Sequence, residues 1–558
     1  MSMLLRRALP FALIVLFSAC AKKQDASLPL AFVPADTPYV FANVEPMPQA
    51  VVDEYADMMK QMWPSMFGTY SRLLDEAKDL TDEQRKVARA ILDEVKALAE
   101  KGSGADAGFT SAAHFATYGV GLIPVVRWEL ADPQKLRDTV ARVEGKAGAK
   151  LAIGKVGEQE YWHIGSDKVA VIIAIVDKHL VATIAPTKAS DDAKKRLLGL
   201  VRPDQNLGDS GALAKLNTDN KFTPYGTGLI DTVRIVDIAT GDTDALLREF
   251  KALDGKAPEP VDATCRQEFL DIAKKFPRAV LGYTALETKK MDMVGRFELE
   301  PTLAKDLAAA VGAAPGTGGA AEGQMDFALS LPVLKLKDFF IKQSKAVVDK
   351  PYACTHLADL NQGFAELNQK LATTIPPPAS DLTGLRMTLT KLTLDNGAGK
   401  PDFAGKTLVA LTNPMSALAM GQLVSPQLKD LKIAPDGKPV ALPADLVPAQ
   451  VPPLFAAMND KAIAISVGAG EDAALGTYLA APPAAEPVFF RMYFTGALYG
   501  QLGEWTKTFA AMLPEAQRKD IDDQRAMFAL YQKWIRGADI KLTAKPNGIE
   551  LFERIEWN

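Results

Sequence analysis

Histidine and cysteine are scarce in this sequence, which has four histidines and three cysteines among 558 residues. None of His114, His163, His179 and His356 lies in a His-Glu-x-x-His arrangement, and there is no Cys-x-x-Cys pair. Structural and catalytic zinc sites usually draw on such closely spaced imidazole and thiolate ligands. We therefore expect neither a metal site nor a cofactor.

Motifs for nucleophiles and for phosphate binding are also missing. The sequence has no Gly-x-Ser-x-Gly elbow and no Ser-x-x-Lys pair. Its glycine-rich stretch Gly316–Gly319 lacks the Gly-Lys-Ser/Thr that completes a phosphate loop. These absences favour a protein that is not an enzyme and has no catalytic residues. One alternative stays open, a hydrolase with a site assembled from distant residues, for which His163, Ser166 and Asp167 are the local candidates.

Positive charge is not in excess, and long apolar runs are absent beyond the N-terminus. The 64 lysines and arginines face 68 aspartates and glutamates, for a net charge of −4. A nucleic-acid-binding protein needs a basic face to neutralise phosphates, so we expect no nucleic-acid partner. No later segment approaches the ~18 consecutive apolar residues of a membrane-spanning helix.

The first 19 residues have the three parts of a secretory signal peptide. Arg6 and Arg7 give a positive start, residues 8–17 are apolar apart from Pro10, and small residues follow at Ser18 and Ala19. The apolar part is short for a ~30 Å hydrocarbon core, which favours a cleaved segment over a permanent span.

The residues Phe17-Ser18-Ala19-Cys20 resemble the lipobox of bacterial lipoprotein precursors, with Phe17 where leucine is usual. The resemblance implies that Cys20 carries a diacylglyceryl group and that the chain is cut before it; in such proteins the new amine is often acylated. Such acyl chains anchor a protein stably to a membrane. By analogy, Ala21 in place of aspartate favours the outer membrane, facing the periplasm. The alternative is an ordinary signal peptide with a cysteine there by chance.

Cleavage changes the charge and the cysteine count of the mature chain. It removes two of the basic residues and no acidic one, so the net charge becomes −6. With Cys20 lipidated, Cys265 and Cys354 remain, and in an oxidising compartment they are candidates for a disulfide. Two buried free thiols are the alternative.

Apolar patterning along the chain alternates between strands and helices and predicts an α+β fold. An apolar strand, an Asp-Lys turn and a second strand occur around Asp177 and again around Asp460. Each half also ends in a helix and a hairpin. We interpret this as a tandem duplication that gives two related lobes of antiparallel sheet covered by helices. The predicted segments are a tether at 20–28, a first lobe at 29–310, a flexible linker at 311–323 and a second lobe at 324–558.

A helical insertion is predicted at residues 48–101 in the first lobe. Within it, four methionines gather beside Trp63, namely Met58, Met59, Met62 and Met66. Three of them share one helical stripe, although Pro64 is expected to interrupt it. A soft packing or partner-binding face is the favoured interpretation, and a Cu(I) site is the alternative.

The opening segment from Phe32 to Val40 resembles a group of exported bacterial proteins of unknown function that begin with a Pro-Ala-Asp-Thr turn and a strand. The resemblance covers residues 30–240 and implies an envelope location and an α+β fold, without catalytic residues. Together these observations predict a membrane-anchored lipoprotein with a binding or scaffold role. Its partner would be a lipid or another envelope protein.

Overall fold

The structure is a computed structural model. It describes residues 25–77, 81–110, 112–166, 168–253, 260–394, 401–447, 451–510 and 515–558. The signal peptide and Cys20 lie outside these residues, so cleavage and lipidation stay predictions. The predicted α+β class is confirmed, because helices accompany one large antiparallel sheet.

The described part of the chain contains a 19-stranded sheet. Its strands are β1 Tyr39–Ala42, β2 Phe115–Val120, β3 Ile123–Glu129, β4 Ala152–Val156, β5 Gln159–Gly165, β6 Val169–Val176, β7 His179–Pro186, β8 Thr227–Asp231, β9 Arg278–Glu287, β10 Lys290–Glu298, β11 Met325–Ser330, β12 Leu382–Leu394, β13 Pro401–Leu411, β14 Val440–Ala441, β15 Leu454–Met458, β16 Ala462–Val467, β17 Val488–Phe494, β18 Ile535–Lys545 and β19 Gly548–Trp557.

The α-helices occur between these strands, and most of them follow a strand directly. They are α1 Gln49–Glu76, α2 Asp82–Lys101, α3 Pro133–Ala147, α4 Asp191–Leu198, α5 Leu207–Ser210, α6 Ala212–Asn220, α7 Thr232–Thr240, α8 Ala245–Lys251, α9 Ala263–Ala273, α10 Pro301–Val311, α11 Val333–Asp349, α12 Ala358–Leu371, α13 Pro414–Val424, α14 Leu475–Ala480, α15 Gly496–Ala510 and α16 Glu515–Trp534.

All strand pairs are antiparallel, and the sheet is continuous from β4 at one edge to β14 at the other. The spatial order is β4-β5-β6-β7-β3-β2-β1-β8-β9-β10-β19-β18-β17-β11-β12-β13-β16-β15-β14. The two predicted lobes thus share one sheet, and their separation as lobes stays a prediction.

The order of the strands repeats between the two halves of the chain. The order β6-β7-β3-β2-β1-β8-β9-β10 in the first half matches β15-β16-β13-β12-β11-β17-β18-β19 in the second. The equivalent strands β10 and β19 pair with each other where the halves meet. Val294 and Phe552 stand opposite one another there, and each is the fifth residue of its strand.

Turn residues explain why two equivalent hairpins form. In the first half, Asp177 adopts a left-handed backbone conformation, with φ of 53°, between β6 and β7. Tight hairpin turns need such positive φ values, and aspartate tolerates them better than most residues. In the second half, the side chain of Asn459 accepts hydrogen bonds from the backbone N–H groups of Lys461 and Ala462 between β15 and β16.

The helical insertion consists of two helices. The first, α1, continues through Pro64 from Gln49 to Glu76, so the expected interruption does not occur. The second, α2, begins with a capping box formed by Thr81 and Gln84 and packs on α3. Its end is set by Gly102, whose left-handed φ of 70° suits glycine.

The segment 311–323 is packed onto the second half of the sheet. The N–H of Ala314 donates to the carbonyl of Val488 at 2.7 Å, and that of Gly318 donates to Pro482 at 3.0 Å. Thr317 is buried. These contacts tie the segment to the second half of the sheet, and both the flexible connection and the division of the chain here stay predictions.

Candidate functional site: the open face of the sheet

Residues that stand opposite each other in antiparallel strands point to the same side of the sheet, which allows the side chains to be assigned to faces. We call one side of the central strands the open face, and define it by two neighbouring rows of residues. The first row, from β9 to β13, is Leu281, Gly295, Leu551, Leu542, Phe490, Leu329, Leu385 and Val409. The second row is Tyr283, Met293, Glu553, Ile540, Met492, Phe327, Met387 and Thr407.

The open face is apolar, yet water reaches it. Glu553 is the one charged residue in the two rows, and every residue in them except the buried Gly295 is at least partly exposed. Leu281 is 36% exposed and Met387 42%. Phe297, which follows Gly295 on the same side of β10, is 47% exposed. Contiguous exposed apolar surface of this kind is uncommon in proteins without a partner and marks interaction sites.

The opposite side, which we call the covered face, carries charges that are buried. The guanidinium of Arg386 donates two hydrogen bonds to the carboxylate of Asp326, at 3.1 and 2.8 Å, and both residues are at most 3% exposed. Lys406 donates to Glu471 at 2.8 Å. Two more pairs follow on this side of the sheet: Arg491–Asp539 within the second half, and Arg554–Asp292 between β19 and β10, where the Arg554 side chain is 40% exposed.

Chain segments lie directly over these charges. The ring of Tyr478, on α14, stacks against Arg386 with 4.5 Å between guanidinium carbon and ring centre. Burial raises the pKa of the Tyr478 hydroxyl. Gly319 accepts a hydrogen bond from Arg491 through its carbonyl. Half-covered antiparallel sheets usually bury their apolar side and expose their polar side, and this part of the sheet has the reverse arrangement.

Helices from the two halves meet at two places beside the sheet. At the first, α1 contacts α16: Lys533 donates to Gln61, and Trp557 donates to the hydroxyl of Tyr55. At the second, Cys265 of α9 forms a disulfide with Cys354, which precedes α12. The carboxylate of Glu268 accepts hydrogen bonds from the backbone N–H groups of residues 353 and 354. The two halves of the chain are therefore joined at two places in addition to the pairing of β10 with β19.

A cavity of about 370 Å³ lies at the Pro-Ala-Asp-Thr turn and is lined by both arginines and aspartates. Beside it, Arg127 is fully buried, stacks on Phe32 at 3.7 Å and donates to the carbonyl of Leu198. His179 lies 3.2 Å from Arg127, and burial together with that positive charge lowers its pKa to about 4. These contacts hold the turn in place, which gives the segment a structural role.

Of the hydrolase candidates, the structure describes His163 and Ser166, and it shows no contact between these two. His163 lies on β5 with its ring beside Tyr161. The hydroxyl of Ser166 accepts hydrogen bonds from the backbone N–H groups of Lys168 and Val169, both at 3.2 Å, and so caps a turn. Asp167 lies outside the described residues. Nothing that the structure describes joins His163 to Ser166.

Two of the four methionines of α1 lie beside other parts of the chain, and the packing or partner-binding interpretation of the stripe stays a prediction. Trp63 stacks on Phe67, with ring centres 5.3 Å apart, and lies with Met59 beside the α2 residues Val95 and Leu98. Met58 lies where α1 meets the second half. Among the described residues there is no group of three or more His, Cys, Asp or Glu placed to hold a metal ion.

The open face is not predicted from the sequence, although the alternation of residues in its strands indicates it. The strand β12 was not predicted, and apolar residues alternate in it with buried polar ones such as Arg386 and Thr388. Similar alternation in β11 places Asp326 on the buried side. From sequence alone the polar residues of such strands are assigned to solvent, which inverts the two faces.

No helix in the described ranges is both long and apolar enough to cross a membrane. No family model, curated protein or solved structure matches the chain. A proposal for function therefore has to come from the residues themselves.

Proposed function

We propose that this chain is a membrane-anchored, periplasm-facing lipoprotein of the cell envelope, held by Cys20, and that its open face binds the acyl chain of a lipid. The observation that carries the proposal is the reversed polarity of the sheet. Charged residues such as Arg386 and Asp326 are buried, whereas apolar residues such as Leu281 and Met387 meet water. An acyl chain laid on this face would remove both its own surface and theirs from water.

An acyl chain suits this surface better than a peptide does. The backbone groups of the central strands are already paired with neighbouring strands. In the two rows only Tyr283, Glu553 and Thr407 offer polar side-chain atoms. A peptide would bury several N–H and C=O groups without partners, at about 1–3 kcal/mol each. A hydrocarbon chain has no such groups to satisfy.

The length dependence of binding tests the proposal. The purified chain is titrated with a fluorescent fatty acid, which is then displaced by saturated alcohols that lengthen by one methylene at a time. Each buried methylene contributes about 0.8 kcal/mol, so affinity should rise roughly fourfold per methylene. Affinity that does not change with chain length would contradict acyl-chain binding.

Charged substitutions locate the binding surface. Leu281→Glu and Phe297→Glu each place a carboxylate on the open face, and we expect at least a tenfold loss of alcohol binding. The matched control is Ile153→Glu, where the native side chain is 63% exposed and lies on β4 at the far edge of the sheet. Equal losses in all three variants would count against this surface. Sedimentation should show a monomer, since a second copy on this face would displace the lipid.

A further inference from the structure

A small cavity opens where α1 meets the end of β19. It has a volume of about 100 Å³. Its aromatic walls are Tyr55, Trp534 and Trp557. The rings of Tyr55 and Trp557 meet edge to face, 6.1 Å apart, and the indole N–H donates to the Tyr55 hydroxyl at 3.3 Å. This contact fixes two of the three rings relative to each other.

The two charged side chains that line this cavity are carboxylates, and the ammonium of Lys533 lies at its edge, 2.8 Å from the amide oxygen of Gln61. Glu54 and Asp57, one helical turn apart on α1, both line it. No lysine or arginine is among the described residues that line it, and neither carboxylate has a hydrogen bond or ion pair there. Aromatic rings attract cations through their electron-rich faces, and rings combined with carboxylates are the usual surroundings of a bound organic ammonium group.

The cavity is continuous with the open face along one strand. Alternate residues of β19, from Leu551 through Glu553 to Trp557, point to the same side of the sheet. The hydroxyl of Tyr283 interacts electrostatically with both Tyr55 and Glu553. Burial and the charge of Glu553 raise the pKa of Tyr283. The seven residues from Leu551 to Trp557 span about 20 Å. One acyl chain of a bilayer spans about half of a ~30 Å hydrocarbon core, so this stretch of strand is long enough to hold it.

We propose that this cavity binds the ammonium headgroup of a lipid whose acyl chain lies along β19 on the open face. The inference rests on the proposed function, because the open face would hold the chain. Tyr55, Trp534 and Trp557 enclose the cation, and Glu54 and Asp57 supply the opposite charge. Glu553 disfavours an anionic group further along the strand. The ligand class is therefore a lipid with a primary or quaternary ammonium group.

Amphiphiles with one chain length and different headgroups test this site. The full chain is titrated with tetradecyltrimethylammonium, tetradecanol and tetradecanoate below their micelle concentrations. We expect the ammonium compound to bind roughly tenfold more tightly than the alcohol, and tetradecanoate to bind most weakly. Equal binding of the ammonium compound and the alcohol would overturn the headgroup site and leave the acyl-chain site standing. Binding of none of them would overturn the proposed function itself.

Substitutions at the cavity distinguish a loss of its negative charge from a general loss of folding. The double variant Glu54→Gln/Asp57→Asn should lose the preference for the ammonium compound while tetradecanol binding stays unchanged. Asp53→Asn is the matched control, because Asp53 is a neighbouring acid on α1 that does not line the cavity. Tyr55→Leu should weaken ammonium binding with both carboxylates in place. A preference that survives in the double variant, or that is lost equally in the control, would overturn the assignment.

Discussion

Replacing Asp326 with asparagine tests whether the buried charges hold the covered face together. The substitution keeps the shape and removes the charge that neutralises Arg386, which is 2% exposed. Breaking a buried ion pair from one side costs about 3–5 kcal/mol, because the remaining charge is left in a poorly solvated place. Glu322 lies 3.6 Å from Arg386 and is half exposed, so it offsets part of this cost. We expect a loss of about 3 kcal/mol.

Equilibrium urea unfolding followed by tryptophan fluorescence measures the loss. The matched control is Asp349→Asn, which breaks the pair with Lys345 on α11, where both side chains are more than half exposed. Such exposed pairs contribute about 0.5 kcal/mol or less. The double variant Asp326→Leu/Arg386→Met should recover most of the stability, since it leaves no unpaired charge. A loss below about 1 kcal/mol for Asp326→Asn would refute the reasoning.

Two further perturbations, a fall in pH and the loss of the disulfide, are expected to lower the free energy of unfolding. The pKa of His179 is about 4 in the fold against 6.5 when unfolded, so the unfolded chain takes up a proton first as the pH falls. Stability should fall by up to about 3 kcal/mol between pH 6.5 and 4, and urea titrations of His179→Gln should lack that part of the slope. Cys265→Ser opens a loop of 89 residues and should lower the free energy of unfolding by about 4 kcal/mol, and reductant should destabilise only the native chain. Equal sensitivity of native chain and variant to reductant would count against the disulfide.

Much of the fold could be predicted from local patterns in the sequence. The hairpin around Asp177 and its echo around Asp460 are visible because turn chemistry and apolar strands lie next to each other in the chain. The start of helix α2 can be recognised in the sequence from the cap at Thr81. These features depend on a few neighbouring residues, so no long-range contact is needed to recognise them.

The features that could not be predicted depend on contacts between residues that are far apart in the chain. Asp326, Arg386 and Arg491 are far apart in the chain, and each alone suggests a solvent-facing strand position. They become a buried network only because β11 pairs with both β12 and β17. The cavity at Tyr55 and Trp557 joins residues separated by 502 positions, which no local pattern could connect.

Photocrosslinking with a lipid that carries a diazirine near the end of its acyl chain tests the open face most directly. The lipid is added to the full chain, irradiated, and the modified peptides are identified by mass spectrometry. We expect crosslinks at residues of the two rows, above all Leu281, Met293 and Leu551, and fewer of them in Phe297→Glu. Crosslinks that fall mainly on Ile153 at the far edge of the sheet, or that are unchanged in Phe297→Glu, would contradict binding at the open face.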